Sequence, residues 1–205
     1  MSSVAPLSVP DAIVARHAVR TYTDEPVPDA DVDRILTLTG LAPSAFNAQP
    51  WRFVVVRDAD TKLSLKEAAH GQAQVGAAPV VLVLYTDMAD TLDHVDEVIH
   101  PDLPEARREA TRGTFARVFG SKTPAERENW AAEQTFIALG FLLLAAQSLG
   151  YATSPMAGFD PAKVKAVLGL PEHARVPAMV AMGRPADGGF SSHRHGIERI
   201  TRRVG

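Results

Sequence analysis

Three arginines and a loop of amides are the side chains of this 205-residue sequence best equipped for chemistry. Arg16 and Arg20 lie four apart with His17 between them, and Arg194 sits in a basic C-terminal tail. Arginine presents a planar fork of donors that meets phosphate oxygens two at a time, so arginines that converge suit a phosphate monoester. The bland alternative is a solvated basic face. The loop Ala42-Pro43-Ser44-Ala45-Phe46-Asn47-Ala48-Gln49-Pro50-Trp51 adds hydroxyl and amide groups at Ser44, Asn47 and Gln49. Pro43 and Pro50 fix φ near both ends and remove two backbone donors. Amides that must meet a planar heterocycle bind well only when already in place. An ordinary helix-to-strand connection is the competing reading.

The elements that must hold these groups follow from periodicity and end signals. Ser8, with Pro10 and Asp11 after it, reads as the cap of a first helix ending near Arg16. Val32, Ile35, Leu36 and Thr39 give helical spacing to a second helix, with Asp29, Asp31 and Asp33 near its positive end. Strand-like runs are expected at residues 53–57 and 79–85, with a helix at 61–69 between them. Residues 87–122 are charged and uneven, which suggests one or two amphipathic helices. Thr123-Pro124-Ala125-Glu126 supplies an N-cap, an N1 proline and an N3 glutamate for a long helix, and Gly150 stands where it should end. From 136 to 149 that helix is apolar on nearly every face, the pattern of a buried central helix. A short strand at 151–153, a turn at 155–159, a capped helix to about residue 168 and a strand at 176–182 complete the chain. Strands interspersed with helices indicate a sheet layered by helices.

Composition narrows the function. A formal charge of −3 gives no bulk attraction to nucleic acid or to an anionic membrane. The sequence has no cysteine, which removes disulfides, thiolate metal sites and cysteine nucleophiles together. The histidines fall at unrelated spacings, so no metal site is expected. No cationic segment precedes a hydrophobic run at the N-terminus, and the apolar run 136–146 is too short for a bilayer. A soluble, cytoplasmic protein is the expectation. Glycine-rich dinucleotide fingerprints are absent, so any nicotinamide cofactor would bind transiently.

Four stretches in order carry a resemblance: Arg16-His17-Ala18-Val19-Arg20, the Pro43 to Trp51 loop, Ser154-Pro155-Met156-Ala157-Gly158, and the basic segment with Arg194. Together they resemble the nitroreductase family of flavoproteins over nearly the whole chain. The resemblance implies an α+β fold, a mixed and mainly antiparallel sheet surrounded by helices, in an intertwined homodimer. It implies a single domain over residues 1–205, with 87–122 a variable helical excursion and 188–205 a C-terminal arm.

It further implies FMN as cofactor, with Arg16, His17 and Arg194 on the phosphate and Arg20 near the pyrimidine side. The backbone at Pro155, Met156, Ala157 and Gly158 would face the flavin N5. Pro43, Ser44 and Asn47 would reach the flavin of the other subunit, while Gln49 contacts it or braces the loop. Ala18 stands where relatives commonly carry serine, so one hydroxyl contact to phosphate is missing. Gln74 lies where some branches place a lysine, and Ala157 where some place an acid. The implied reaction is ping-pong hydride transfer from NADH or NADPH, through flavin N5, to a nitroaromatic, quinone or activated alkene. No catalytic side chain is required. A flavin-binding or flavin-remodelling protein devoted to one metabolite is the rival.

Overall fold

The computed structural model describes residues 5–205. Helix α1 (Val9–Ala15) begins at Ser8, whose hydroxyl accepts from the Asp11 N–H. Helix α2 (Asp29–Gly40) carries Asp29 and Asp31 in its first turn, where the helix dipole favours negative charge. Strand β1 (Trp51–Val56), helix α3 (Ala59–Ala68), the short helix α4 (Ala73–Ala77) and strand β2 (Val80–Thr86) follow. The charged stretch then forms α5 (Met88–Asp93), a 3₁₀ turn at Val95–Val98, and α6 (Glu105–Gly120). Helix α7 (Pro124–Ser148) starts with a complete capping box: Thr123 caps the Glu126 N–H, and the Glu126 side chain returns to the Thr123 N–H. After it come β3 (Ala152–Met156), α8 (Pro161–Leu168), β4 (Ala178–Gly183) and α9 (Ile197–Ile200).

The four strands lie in the order β1-β2-β4-β3, and every neighbouring pair is antiparallel. The sheet agrees with the expected mainly antiparallel arrangement surrounded by helices. Among the described residues its parallel component is one isolated bridge, Ala18 to Thr153. There the Val19 N–H donates to the Thr153 carbonyl at 3.2 Å, laying the Arg16–Arg20 segment along the free edge of β3. Successive strand residues face opposite sides. Val80, Leu82, Leu84, Val180 and Met182 pack against Ile35 of α2 and Leu139 and Leu142 of α7. Val81, Val83, Met179 and Ala181 pack on the other side with Leu65 of α3 and Val164 of α8.

Two expectations change here. Strand β3 runs through Pro155, which pairs opposite Val180, so the turn begins at Ala157. An edge strand tolerates proline because its missing N–H faces away from the ladder. Helix α7 is not buried all round. Ala138, Leu142 and Ala146 are fully enclosed, yet Phe136 is 52% and Phe141 40% exposed. At 25 residues the helix is, by length and composition alone, long and apolar enough to cross a bilayer, as the core helix of a soluble protein also can be. Its inner side is committed to the sheet.

Candidate functional site

The C-terminal segment folds back over the end of α1, setting Ser192 against Arg16 and Arg194 within electrostatic reach of it. Three contacts make the fold-back. The Ser192 hydroxyl donates to the Arg16 carbonyl at 3.2 Å. The His17 ring lies with Nδ1 2.9 Å from the Ala15 carbonyl and Nε2 against the Gly188 carbonyl. The Thr21 hydroxyl donates to the Asp187 carboxylate at 2.6 Å. Burial, and then the nearby Arg194 charge, lower the proton affinity of Arg16 from its ordinary value. Two guanidinium groups gathered without a carboxylate between them are arranged for an anion. Both ring nitrogens of His17 face backbone carbonyls here, so in this structure it fastens the arm. Arg20 is exposed on the same edge segment. That segment is pinned by Tyr22, whose hydroxyl lies 2.7 Å from the Val19 carbonyl and 3.0 Å from that of Ala181. Burial raises the Tyr22 pKa and keeps it a donor.

Beside this corner, β3 ends at Met156, and Ala157 and Gly158 are exposed with their backbone open to approach. The turn is braced by Gln72, from the Gln72-Ala73-Gln74 stretch that stands where some relatives carry a lysine. Gln72 donates Nε2 to the Gly158 carbonyl at 2.9 Å, and its Oε1 accepts from Gln74 Nε2 at 3.0 Å. Gln74, 6% exposed, therefore spends its amide nitrogen inward on Gln72. One N–H of Gln74 is thereby spent on Gln72, and Gln72 is the glutamine that reaches the 157–158 turn. Gln72→Ala leaves the largely buried Gln74 amide without its acceptor, which costs roughly 1–3 kcal/mol. A melting curve of the apoprotein should show this loss.

The Pro43–Gln49 loop is strained. Phe46, Asn47 and Gln49 have φ of 60°, 57° and 44°, the left-handed region that non-glycine residues avoid. Each such residue costs on the order of 1–3 kcal/mol and persists only where its surroundings enforce it. The enforcement is visible. Gln134 Oε1 accepts from the Ala45 N–H at 2.9 Å, the Ser44 hydroxyl accepts from the Gln49 N–H at 3.0 Å, and Asn47 Nδ2 donates to the Val98 carbonyl at 2.8 Å. Pro43 is exposed. Gln49 braces the loop, its amide reaching the Asn47 carbonyl at 3.4 Å. Within one chain this loop and the Arg16–Arg194 corner belong to opposite edges of the sheet, the first leading into β1 and the second lying along β3.

A cleft of about 370 Å³ opens beside the loop, lined by Gln49, Trp51, Arg52, Asp90, His94 and Glu97 among others. Arg52 pairs with Asp90, and hydrogen bonding from Arg52 holds the Asp90 carboxyl below its ordinary range. The Asp90 backbone carbonyl, and then its carboxylate, raise His94. This cluster gave no sequence signal, since its members come from β1 and the α5 region. Among the described residues no cluster of three or more His, Asp or Glu could hold a metal ion.

The sequence model of the Nitroreductase family matches residues 13–184. This chain belongs to the nitroreductase family. It is 50% identical over 194 residues, 95% of each chain, to a protein of Thermus thermophilus named NADH dehydrogenase. It is 29% identical over 178 residues to a Bacillus subtilis protein named FMN reductase (NAD(P)H), covering 86% of this chain and 65% of that one. A chain from Exiguobacterium sibiricum, solved in complex with FMN, superposes with a TM-score of 0.86 at 21% identity. It covers 99% of this chain and 100% of its own, a likeness of nitroreductase fold.

Proposed function

We propose that this nitroreductase binds FMN at the Arg16–Arg194 corner and uses NADH or NADPH to reduce a small organic oxidant. The fold-back of the arm onto Arg16 carries this reading, because two guanidiniums within electrostatic reach repel until an anion lies between them. A phosphate monoester meets that demand with bidentate contacts. The residues present fit the cofactor: cations for its phosphate, exposed backbone at Ala157 and Gly158 for the ring edge, and Arg20 on the adjoining segment. When bound, FMN supplies hydride acceptance and donation at N5. Arg16 and Arg194 hold the phosphate end, and Gln72 keeps the 157–158 backbone in place. NAD(P)H and the oxidant take turns over the exposed face, which is the ping-pong order; nitroaromatics, quinones and activated alkenes are the oxidant classes.

The acting unit in this reading is a homodimer of a single-domain chain. Phe136 and Phe141 on α7 and Phe190, Ile197, Ile200 and Val204 on the arm are exposed apolar residues that a second copy would cover. In that dimer Pro43, Ser44 and Asn47 approach the partner's flavin, reconciling their place at the far edge of the sheet. A cytoplasmic location suits these reactants.

Titrating apoprotein with FMN and with riboflavin tests the reading. FMN should bind one per chain and raise the melting temperature by mass action, with riboflavin far weaker for want of the phosphate. Equal affinity for both flavins would refute the phosphate assignment. Ala18→Ser restores a hydroxyl beside the Arg16 corner and should tighten FMN by at most roughly 0.5–1.5 kcal/mol. Slower FMN dissociation in stopped-flow fluorescence is the expected signal.

A further inference from the structure

Resting on the reading of the 43–49 loop as a flavin contact, we propose that Phe46 is a positioning residue. It docks that loop on the 87–122 excursion, so the excursion sets the loop's geometry. Phe46 is held at a φ of 60° in the middle of the loop. Its ring meets three others, none of them in the loop. Phe115 and Phe119 of α6 lie edge-on at centroid distances of 6.1 Å each, and Trp130 of α7 lies at 6.5 Å. Phe119 and Trp130 pack edge-to-face at 4.9 Å, so the ring docks on a preformed aromatic platform. Such edge-on contacts follow the aromatic quadrupole and favour one orientation. One residue further on, the Asn47 side chain is tied to the Val98 carbonyl at 2.8 Å, in the turn between α5 and α6.

Both anchors reach the 87–122 excursion, while Trp130 and the Gln134 contact to Ala45 tie the loop to α7 as well. The left-handed conformation is intrinsically unfavourable for phenylalanine, so something outside the residue must hold it there. The aromatic platform is the partner that Phe46 has. Phe46 nonetheless remains 45% exposed, whereas Phe115 and Phe119 are 2% and 1% exposed. Its ring therefore contributes less to the core than theirs, and its removal should alter the loop before it alters the fold.

The test is FMN affinity and steady-state kinetics of Phe46→Ala, Phe46→Gly, Phe46→Tyr and Phe115→Leu, alongside Arg16→Ala and the wild type. Phe46→Ala should weaken FMN about 10-fold and lower kcat, with the apoprotein melting within a few degrees of wild type. Phe46→Gly relieves the backbone strain but loses the anchor, so it should bind no better than Phe46→Ala. Phe46→Tyr keeps the ring and should restore both. Phe115→Leu keeps most of the buried volume and lies outside the loop, yet it should weaken FMN in the same direction. Wild-type affinity in Phe46→Ala would overturn the proposal, as would an effect of Phe46→Ala with none from Phe115→Leu, which would make Phe46 a direct flavin contact. Failure of the flavin reading itself would show separately, as wild-type apoprotein that takes up no FMN, and would overturn both.

Discussion

Replacing Arg16 with alanine is expected to weaken FMN binding about 10- to 100-fold, the range for losing a charge-assisted contact. Arg194→Ala should act similarly, because the arm brings that guanidinium to the same corner. Arg202→Ala is the control, since Arg202 is exposed beyond the last helix. The two effects should not simply add, because both groups serve one anion. The apoprotein should behave in the opposite sense. Arg16 and Arg194 repel each other when no anion lies between them, so neither single variant should melt below the wild-type apoprotein through electrostatics. Fluorescence titration and melting curves of the same samples separate the two. Equal FMN affinity in Arg194→Ala and Arg202→Ala would remove Arg194 from the site.

Truncation after Asp187 should have the largest effect of any change considered. It deletes Arg194, the Ser192 contact to Arg16 and the Gly188 carbonyl that His17 faces, while leaving the Thr21–Asp187 bond. The last strand ends at Gly183, and every residue from 187 onward is exposed. The sheet and its helices should therefore still fold. FMN affinity should fall by more than about 100-fold, as two or more contacts vanish together. Light scattering of the truncated protein should show a weakened dimer, since the exposed apolar residues of the arm go with it. A yellow, truncated monomer that oxidises NAD(P)H would defeat the shared-site reading.

The parts of this structure that local chemistry dictates were legible in the sequence. The Thr123–Glu126 capping box is a reciprocal bond between neighbours, and the structure shows it. The Ser8 and Asp160 caps likewise depend on the adjoining turn alone. The family followed from four short motifs in order, and the family model covers the chain from 13 to 184. Features that depend on distant neighbours stayed hidden. A strand through Pro155 is allowed because β3 is an edge, which topology decides. The apolar circumference of α7 reads as full burial, yet one side stays open in a single chain. Left-handed φ at Phe46 has no local signal, since nothing in the Ala45-Phe46-Asn47 triplet except asparagine favours it. The contact of the His17 ring with the Gly188 carbonyl, 171 residues away, likewise has no local signal. Gln72 braces the 157–158 turn from 86 residues away in sequence, and no spacing rule reaches that far.

The most direct measurement is anaerobic reduction of the reconstituted protein. Apoprotein loaded with FMN should hold one yellow chromophore per chain, and stoichiometric NADH or NADPH should bleach it in the absence of oxygen. Adding a quinone or a nitroaromatic should restore the colour, with parallel-line kinetics as donor and acceptor are varied. Protein that takes up no FMN, or that holds FMN which neither nicotinamide bleaches, would contradict the assignment of this chain as an FMN-dependent NAD(P)H oxidoreductase.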